Sequence, residues 1–229
     1  MPSNLEIDFA TVLACSVHDM KNSLCMVIQS AELIQAEGEK LSDDARAELA
    51  RLNYEANRLN SNLLQLLSLY RLDRQQLPVQ IDQHYLSELF EELLLRNQYF
   101  AMQQDIEFII QVEHDLNWFF DRDLVLNVLN DAIANALRYS NRRIVLRAEV
   151  IQGLLQVQVV DDGPGFPDFM LDNANPDMQK LDLRHGHTGL GIFFAKLIAR
   201  AHHNKNQRGQ VSLQNNSELS GGSFSLTLP

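Results

Sequence analysis

Residues 18 to 24 read His18-Asp19-Met20-Lys21-Asn22-Ser23-Leu24, an imidazole with a carboxylate beside it and an amide one helical turn later. That is the equipment of a nucleophile. Asp19 can accept a hydrogen bond from Nδ1 of His18, fixing the tautomer that leaves Nε2 free to attack and stabilising the positive charge that develops. Asn22, four residues on, shares the helical face of His18, and its amide can hold a water there. A lone histidine on a helix surface carries no such meaning, so the weight rests on the segments C-terminal to it.

Four further segments come in order. Asn127 to Ser140 reads NVLNDAIANALRYS, which on a helix sets Asp131 and Asn135 four apart on one face. The carbonyl oxygen of Asn135 suits Mg²⁺, a cation that prefers hard oxygen ligands and keeps several waters when phosphates complete its shell. Arg138, a turn further, can meet a phosphate. The same residues also make an ordinary amphipathic helix. Val159 to Phe166 reads VVDDGPGF, where Gly163 and Gly165 permit close approach of the backbone to a flat ring and Asp161 can accept from an exocyclic amine such as that of adenine. A tight turn after a strand uses similar residues. Thr188-Gly189-Leu190-Gly191 opens a helix, and the unpaired N–H groups and dipole there favour phosphate. Gly221-Gly222-Ser223-Phe224 precedes a last strand and also reads as a hairpin turn.

The elements that position these residues follow from periodicity. Leu13, Val17, Met20, Leu24, Val27, Ala31 and Ile34 hold the alternating four-three spacing of a coiled-coil seam. Gly38-Glu39-Lys40 breaks it, Ser42 supplies an N-cap with Asp43 and Asp44 in the first turn, and the seam resumes at Leu49, Leu52, Ala56, Leu59, Leu63, Leu66 and Tyr70. Two such helices form an antiparallel hairpin whose apolar stripe is too wide to satisfy itself. Pairing with a second copy around Leu24, Val27, Leu59 and Leu63 gives a homodimeric four-helix bundle. Asp73 to Gln80 is polar and contains Pro78, which places the domain boundary near residue 76.

Beyond that boundary the periods mix. Helices are expected over 84–103, 122–139 and 188–202, and strands over 106–112, 143–150, 154–160, 211–213 and 224–228, with Gln152-Gly153 turning a hairpin. The arrangement predicts a sheet covered on one face by helices. The polar stretch between Phe166 and Thr188 is too long for an ordinary connection, and a mobile lid is expected there.

Together these segments resemble the boxes of sensor histidine kinases of the two-component signalling family. His18-Asp19-Met20-Lys21-Asn22 is similar to the phosphoacceptor box, Asp131 to Ala136 to the asparagine box, Asp161-Asp162-Gly163-Pro164-Gly165 to the first glycine box and Gly189-Leu190-Gly191 to the second. The closing GGSFSLTLP resembles the end of the ATP-binding domain. The resemblance implies an α + α/β protein, with residues 1–76 a dimerisation and phosphoacceptor hairpin and residues 77–229 a Bergerat-type α/β sandwich shared with the GHKL ATPases. It also implies ATP and Mg²⁺ as cofactors, autophosphorylation of His18 and transfer to an aspartate of a response-regulator receiver domain. Because the Asn22 amide lies one turn beyond His18 and can orient a water, phosphatase activity toward that regulator is expected as well. ATP would be held by Asp131, Asn135, Arg138, Asp161, Gly163, Gly165, Thr188, Gly189, Leu190 and Gly191, with Asn135 on the metal. Departures from the family pattern are Asp131 in place of a common Asn, Ser23 in place of a common proline, His187 in place of a common glycine, and a lid without a clear aromatic box. The alternative is a histidine phosphotransfer protein whose C-terminal domain keeps the kinase fold but does not use ATP.

Composition narrows the classes further. The formal charge of −11 over 229 residues disfavours nucleic acid, which needs clustered Lys and Arg for phosphate contacts. The N-terminus MPSNLEID has no signal-peptide pattern, and no apolar run approaches the ~18 residues of a membrane span. A cytoplasmic protein without membrane insertion is expected, its input arriving from a sensor protein in trans. Cys15 and Cys25 are expected to be small buried or half-buried hydrophobes.

Overall fold

The computed structural model describes residues 9–36, 41–42, 44–49, 51–53, 55–56, 59–60, 62–63, 79–171 and 190–229. The chain divides into two compact units, Met1–Leu77 and Pro78–Pro229.

In the first unit, α1 (Phe9–Ala36) is one uninterrupted helix. Its seam splits into two stripes. Val17 and Ala31 are buried and Leu24 is half-buried, whereas Met20, Val27 and Ile34 are about half exposed. After the connection, the Ser42 hydroxyl accepts from the Ala45 N–H at 3.2 Å, an N-cap bond that starts a second helical stretch. Helical residues then recur from 44 to 63. There, too, Ala56 is buried while Leu52 and Leu59 face out. An apolar groove lined by Ile34, Leu41, Ala45, Leu49 and Leu52 joins the end of α1 to the start of the second stretch. Ser23 Oγ donates to the Asp19 carbonyl at 3.1 Å, bonding back within the helix where a proline would have removed a bond. Cys25 is half-buried as expected, but Cys15 is exposed, because its position falls off both apolar stripes.

The second unit runs β1 (Asp82–Tyr85), α2 (Leu86–Gln103), β2 (Glu107–Gln111), β3 (Asn117–Phe120), α3 (Arg122–Tyr139), β4 (Arg143–Ile151), β5 (Leu154–Asp161), α4 (Asp168–Leu171), α5 (Leu190–Ala201), β6 (His203–Asn204), β7 (Gln207–Arg208), β8 (Gln210–Gln214) and β9 (Ser223–Leu228). The main sheet has the order β2-β4-β5-β9-β8, parallel only between β2 and β4. Register gives it two distinct faces. Leu146, Val159, Phe224 and Leu213 align on one side, as do Ala148, Val157, Leu226 and Val211, and all are buried. The other side carries Arg147, Gln156, Gln158, Ser225 and Thr227, with Gln158 Nε2 donating to Ser225 Oγ at 3.0 Å. Helices α2, α3 and α5 therefore cover only the apolar side, where Phe90, Leu129, Ile133 and Phe194 complete the core.

Two expectations need correction. The helix expected from His84 begins at Leu86, since His84 and Tyr85 belong to β1, which pairs antiparallel with β3. Neither strand alternates on its own cleanly enough to be read from sequence; what seats them is Phe120, fully buried and in ring contact with His84 at 5.3 Å between centroids. The polar stretch after Phe166 also contains the short helix α4, packed near β8. The lid itself falls mostly at residues 172–189, outside the described residues. The hairpin turn is confirmed: Gln152 and Gly153 have φ of 52° and 79°, the left-handed pair that a two-residue turn requires.

One buried histidine ties helices α5 and α3 together. His202 Nδ1 donates to the Ile198 carbonyl at 2.7 Å, which leaves Nε2 to accept the Asp121 N–H at 3.0 Å. That pattern fits only a neutral ring. Burial lowers the His202 pKa from 6.5, with the Ile198 carbonyl and the Asp121 carboxylate pulling the other way. Because the folded value is depressed, the unfolded chain binds the extra proton first; the contribution is complete above about 6.5 and is lost as pH falls through the folded value. Chemical denaturation should show wild type losing stability between about pH 7.5 and 5.5, with the His202→Gln protein losing less over that range. At pH 7.5 the variant should be weaker by about 1–3 kcal/mol, the scale of two buried bonds.

Candidate functional site

Helix α3 has matched ends. The Asp121 carboxylate accepts the Leu124 N–H at 3.0 Å and the Gln80 N–H at 2.8 Å, Asp123 sits in the first turn, and Arg138 lies in the last. Val125, Leu129, Ile133 and Ala136 face the core, and Asn97 Nδ2 of α2 donates to Asn130 Oδ1 at 3.0 Å. Asp131 is half-buried, while Asn135 and Arg138 are exposed, away from the core. Ser140 ends the helix, its N–H and hydroxyl both donating to the Ala136 carbonyl.

The end of β5 lies against this helix terminus. Asp161 is on the apolar, helix-covered side of the sheet and is 8% exposed. Its Oδ1 accepts the Gly163 N–H at 2.8 Å and the Gly222 N–H at 3.3 Å. Neither bond uses Oδ2. The glycines are needed because other groups occupy the space a side chain would fill. A Cβ on Gly163 would lie 2.5 Å from the Tyr139 carbonyl oxygen, and one on Gly221 would lie 2.3 Å from the Asp161 carbonyl oxygen. A Cβ on Gly222 would stand 2.9 Å from Asp161 Oδ2 and 2.9 Å from the Phe166 ring. Oδ2 is thus bordered by a bare backbone and an aromatic wall.

The two adjacent acids are tuned in opposite directions. Burial raises the Asp161 pKa, outweighing the two glycine N–H groups, and the negative Asp162 adds to the rise. Burial also acts on Asp162, but there the N–H groups of Arg142, Arg143 and Asn141 prevail and lower it. Asp162 Oδ1 accepts from Asn141 N at 2.8 Å and Arg142 N at 3.0 Å. Asp162 therefore pins the α3–β4 connection to β5, and Asp161 keeps an oxygen for something else.

Of the residues singled out from sequence, the fold brings Asp161, Gly163 and Gly165 together with Gly221 and Gly222, against the end of the helix that carries Asp131, Asn135 and Arg138. Gly191 is half-buried in the first turn of α5, which packs on α3. Leu190 begins that helix, while Thr188 and Gly189 lie outside the described residues. His18, Asp19 and Asn22 are on α1 in the other unit. Asp19 and Asn22 are exposed, and the side chain of His18 lies outside the described residues. Sequence reasoning overlooked Asp162 and Asn215 as structural pins and undervalued Gly221-Gly222; the doubled Asp and the Asn215-Asn216 pair were the available signals. Among the described residues no three His, Cys, Asp or Glu side chains gather to hold a metal.

Residues 120–229 match the family described as histidine kinase-, DNA gyrase B-, and HSP90-like ATPase. The adaptive-response sensory kinase SasA of Synechococcus sp. (strain JA-3-3Ab) is 28% identical over 98% of this chain and 60% of its own length. The chain is a homologue of two-component sensor histidine kinases. The sensor protein kinase PilS of Pseudomonas aeruginosa is 25% identical over 92% of the chain and 38% of its own length, so this homologue spans less than two thirds of either relative. Its fold is that of the Acinetobacter baumannii histidine kinase AdeS, with a TM-score of 0.60 at 20% identity over 92% of the chain and 96% of AdeS. Full-length ShkA, solved in complex with AMPPNP, aligns with a TM-score of 0.62 at 20% identity over 96% of the chain and 45% of ShkA. The kinase homologue thus carries a GHKL-type ATP-binding domain with an open, one-sided sheet. None of its described helices is long and apolar enough to cross a membrane.

Proposed function

We propose that residues 77–229 bind ATP with Mg²⁺, and that residues 1–76 dimerise and present His18 as the phosphoryl acceptor. The observation that carries this reading is Asp161: a buried carboxylate with one oxygen fixed by glycine N–H groups and the other left beside open backbone, as an exocyclic amine needs. Asp131, Asn135 and Arg138 line the neighbouring helix for the phosphates, joined by Leu190 and Gly191 at the start of α5 and by Thr188 and Gly189, which precede them in sequence. Mg²⁺, held in part by Asn135, would neutralise developing charge on the phosphates. Asp19 orients the His18 imidazole, and phosphohistidine passes its group to an aspartate of a response-regulator receiver domain. Asn22 orients water for the reverse dephosphorylation. Dependence on ATP suits a cytoplasmic setting for this chemistry.

Incubation of the full chain with γ-labelled ATP and Mg²⁺ tests the proposal. The label should be acid-labile and base-stable, as phosphohistidine is. An acid-stable label would overturn the assignment, and failure to bind nucleotide at all would turn it toward the phosphotransfer alternative.

The outward stripe of Met20, Val27, Ile34, Leu52 and Leu59 supports a four-helix bundle made with a second copy. Leu59→Asp would place a charge in that seam, where an unpaired carboxylate is strongly disfavoured. Light scattering is expected to find a dimer for wild type and a monomer for Leu59→Asp at micromolar concentration.

A further inference from the structure

The loop between β8 and β9 carries one side chain that reaches back to the glycine segment. Asn215 Oδ1 accepts the Phe166 N–H at 2.6 Å, and Asn215 Nδ2 donates to the Phe166 carbonyl at 2.7 Å. One amide thus pairs with both main-chain groups of one residue, as a neighbouring strand would. The fit extends to Gly165, whose φ is +81° and where a Cβ would come 2.5 Å from Asn215 Oδ1. The loop that presents Asn215 is itself tied down: Ser217 N–H donates to the Gly221 carbonyl at 3.1 Å and Ser220 N–H to the Ser217 carbonyl at 2.8 Å. Phe166, held in this way, lays its ring against Gly222 beside the carboxylate of Asp161.

We propose that Asn215 is a positioning residue for the base-binding half of the nucleotide pocket, fixing the Phe166 main chain so that its ring walls the space in front of Asp161. This rests on the ATP-binding reading above. Asn215 touches no reacting atom in this role. It acts through Phe166, and the effect belongs to the base rather than to the phosphates.

Calorimetric titration of the full chain with adenosine, ADP and Mg-ATP tests it. Asn215→Ala is expected to weaken all three by the same factor, about tenfold, as loss of an ordered hydrogen-bonded pair implies. In a Phe166→Leu background, which keeps the main chain but removes the ring, the Asn215→Ala factor should shrink toward one, because the two changes act on one element. Should Asn215→Ala fail to fold, Asn215→Ser, which retains a hydroxyl for one of the bonds, takes its place with an expected loss of about threefold. Unchanged affinities in the variant would overturn the proposal. So would a loss confined to Mg-ATP, or a factor that persists in the Phe166→Leu background. If wild type bound none of the three, the ATP-binding reading would fall and this inference with it.

Discussion

Replacing His18 by glutamine is expected to remove labelling by ATP altogether while leaving nucleotide affinity unchanged. A glutamine amide offers hydrogen bonds of similar reach but no basic nitrogen lone pair, so the nucleophilic step is lost, a fall of at least about a hundredfold. His18 belongs to α1 in the unit Met1–Leu77, whereas Asp161, Gly163 and Asn135 all lie in Pro78–Pro229. The two functions should therefore separate cleanly under mutation. Autoradiography of the variant after incubation with labelled ATP, alongside calorimetry with an unhydrolysable analogue, makes the comparison. Persistent label on His18→Gln would assign the acceptor elsewhere.

Asp161→Asn should have the opposite profile: binding lost, fold kept. The asparagine carbonyl can replace Oδ1 as acceptor for Gly163 and Gly222, so the local backbone geometry survives. Its NH₂ would occupy the place of Oδ2 and turn a donor toward the base amine, itself a donor. Losing a charged acceptor and gaining a mismatched donor corresponds to about 2–3 kcal/mol, on the order of a hundredfold in affinity. Stability should move the other way. A carboxyl whose folded pKa is raised contributes stability below its unfolded value and loses it as pH rises through the folded one, so at neutral pH the ionised Asp161 is a liability to the empty domain. The variant's melting temperature at about pH 7.5 is expected to equal or exceed that of wild type. A lower one would mean that the carboxylate is a structural support. Wild-type affinity for nucleotide should also fall on acidification at a pH above the usual aspartate range.

Long, strongly periodic elements were legible from residues alone. Helix α3 runs over the span its apolar spacing predicts, and β4 and β5 meet across the Gln152-Gly153 turn. The glycine segments and Asp161 also stood out in the sequence, and the fold brings them together. What escaped reading was set by contacts far apart in the chain. Strands β1 and β3 are too short to show a period and exist through each other and the buried Phe120. Asp162, next to Asp161, has no local mark of its different task; only the N–H groups of residues 141 and 142, brought up from the end of α3, define it. Asn215 looks like any turn residue until Phe166, 49 positions away, is beside it. The coiled-coil seam was visible as one stripe. Its division into an inward half at Val17 and Ala31 and an outward half at Met20 and Val27 depends on where the second helical stretch lies.

The glycines around Asp161 are of two kinds, and the difference bears on how this pocket can change over generations. Gly163 and Gly221 are closest to main chain, the Tyr139 and Asp161 carbonyls. No exchange of side chains elsewhere can move those atoms aside, so these two positions have no partner with which to drift. Gly165 and Gly222 face side chains instead, Asn215 in one case and Phe166 with Asp161 in the other. Gly222 can in principle be traded against its neighbour, whereas Gly165, at φ +81°, is held to glycine whatever stands at 215. Correlated replacement among relatives therefore belongs at the pair 222 with 166, while positions 163, 165 and 221 stay silent.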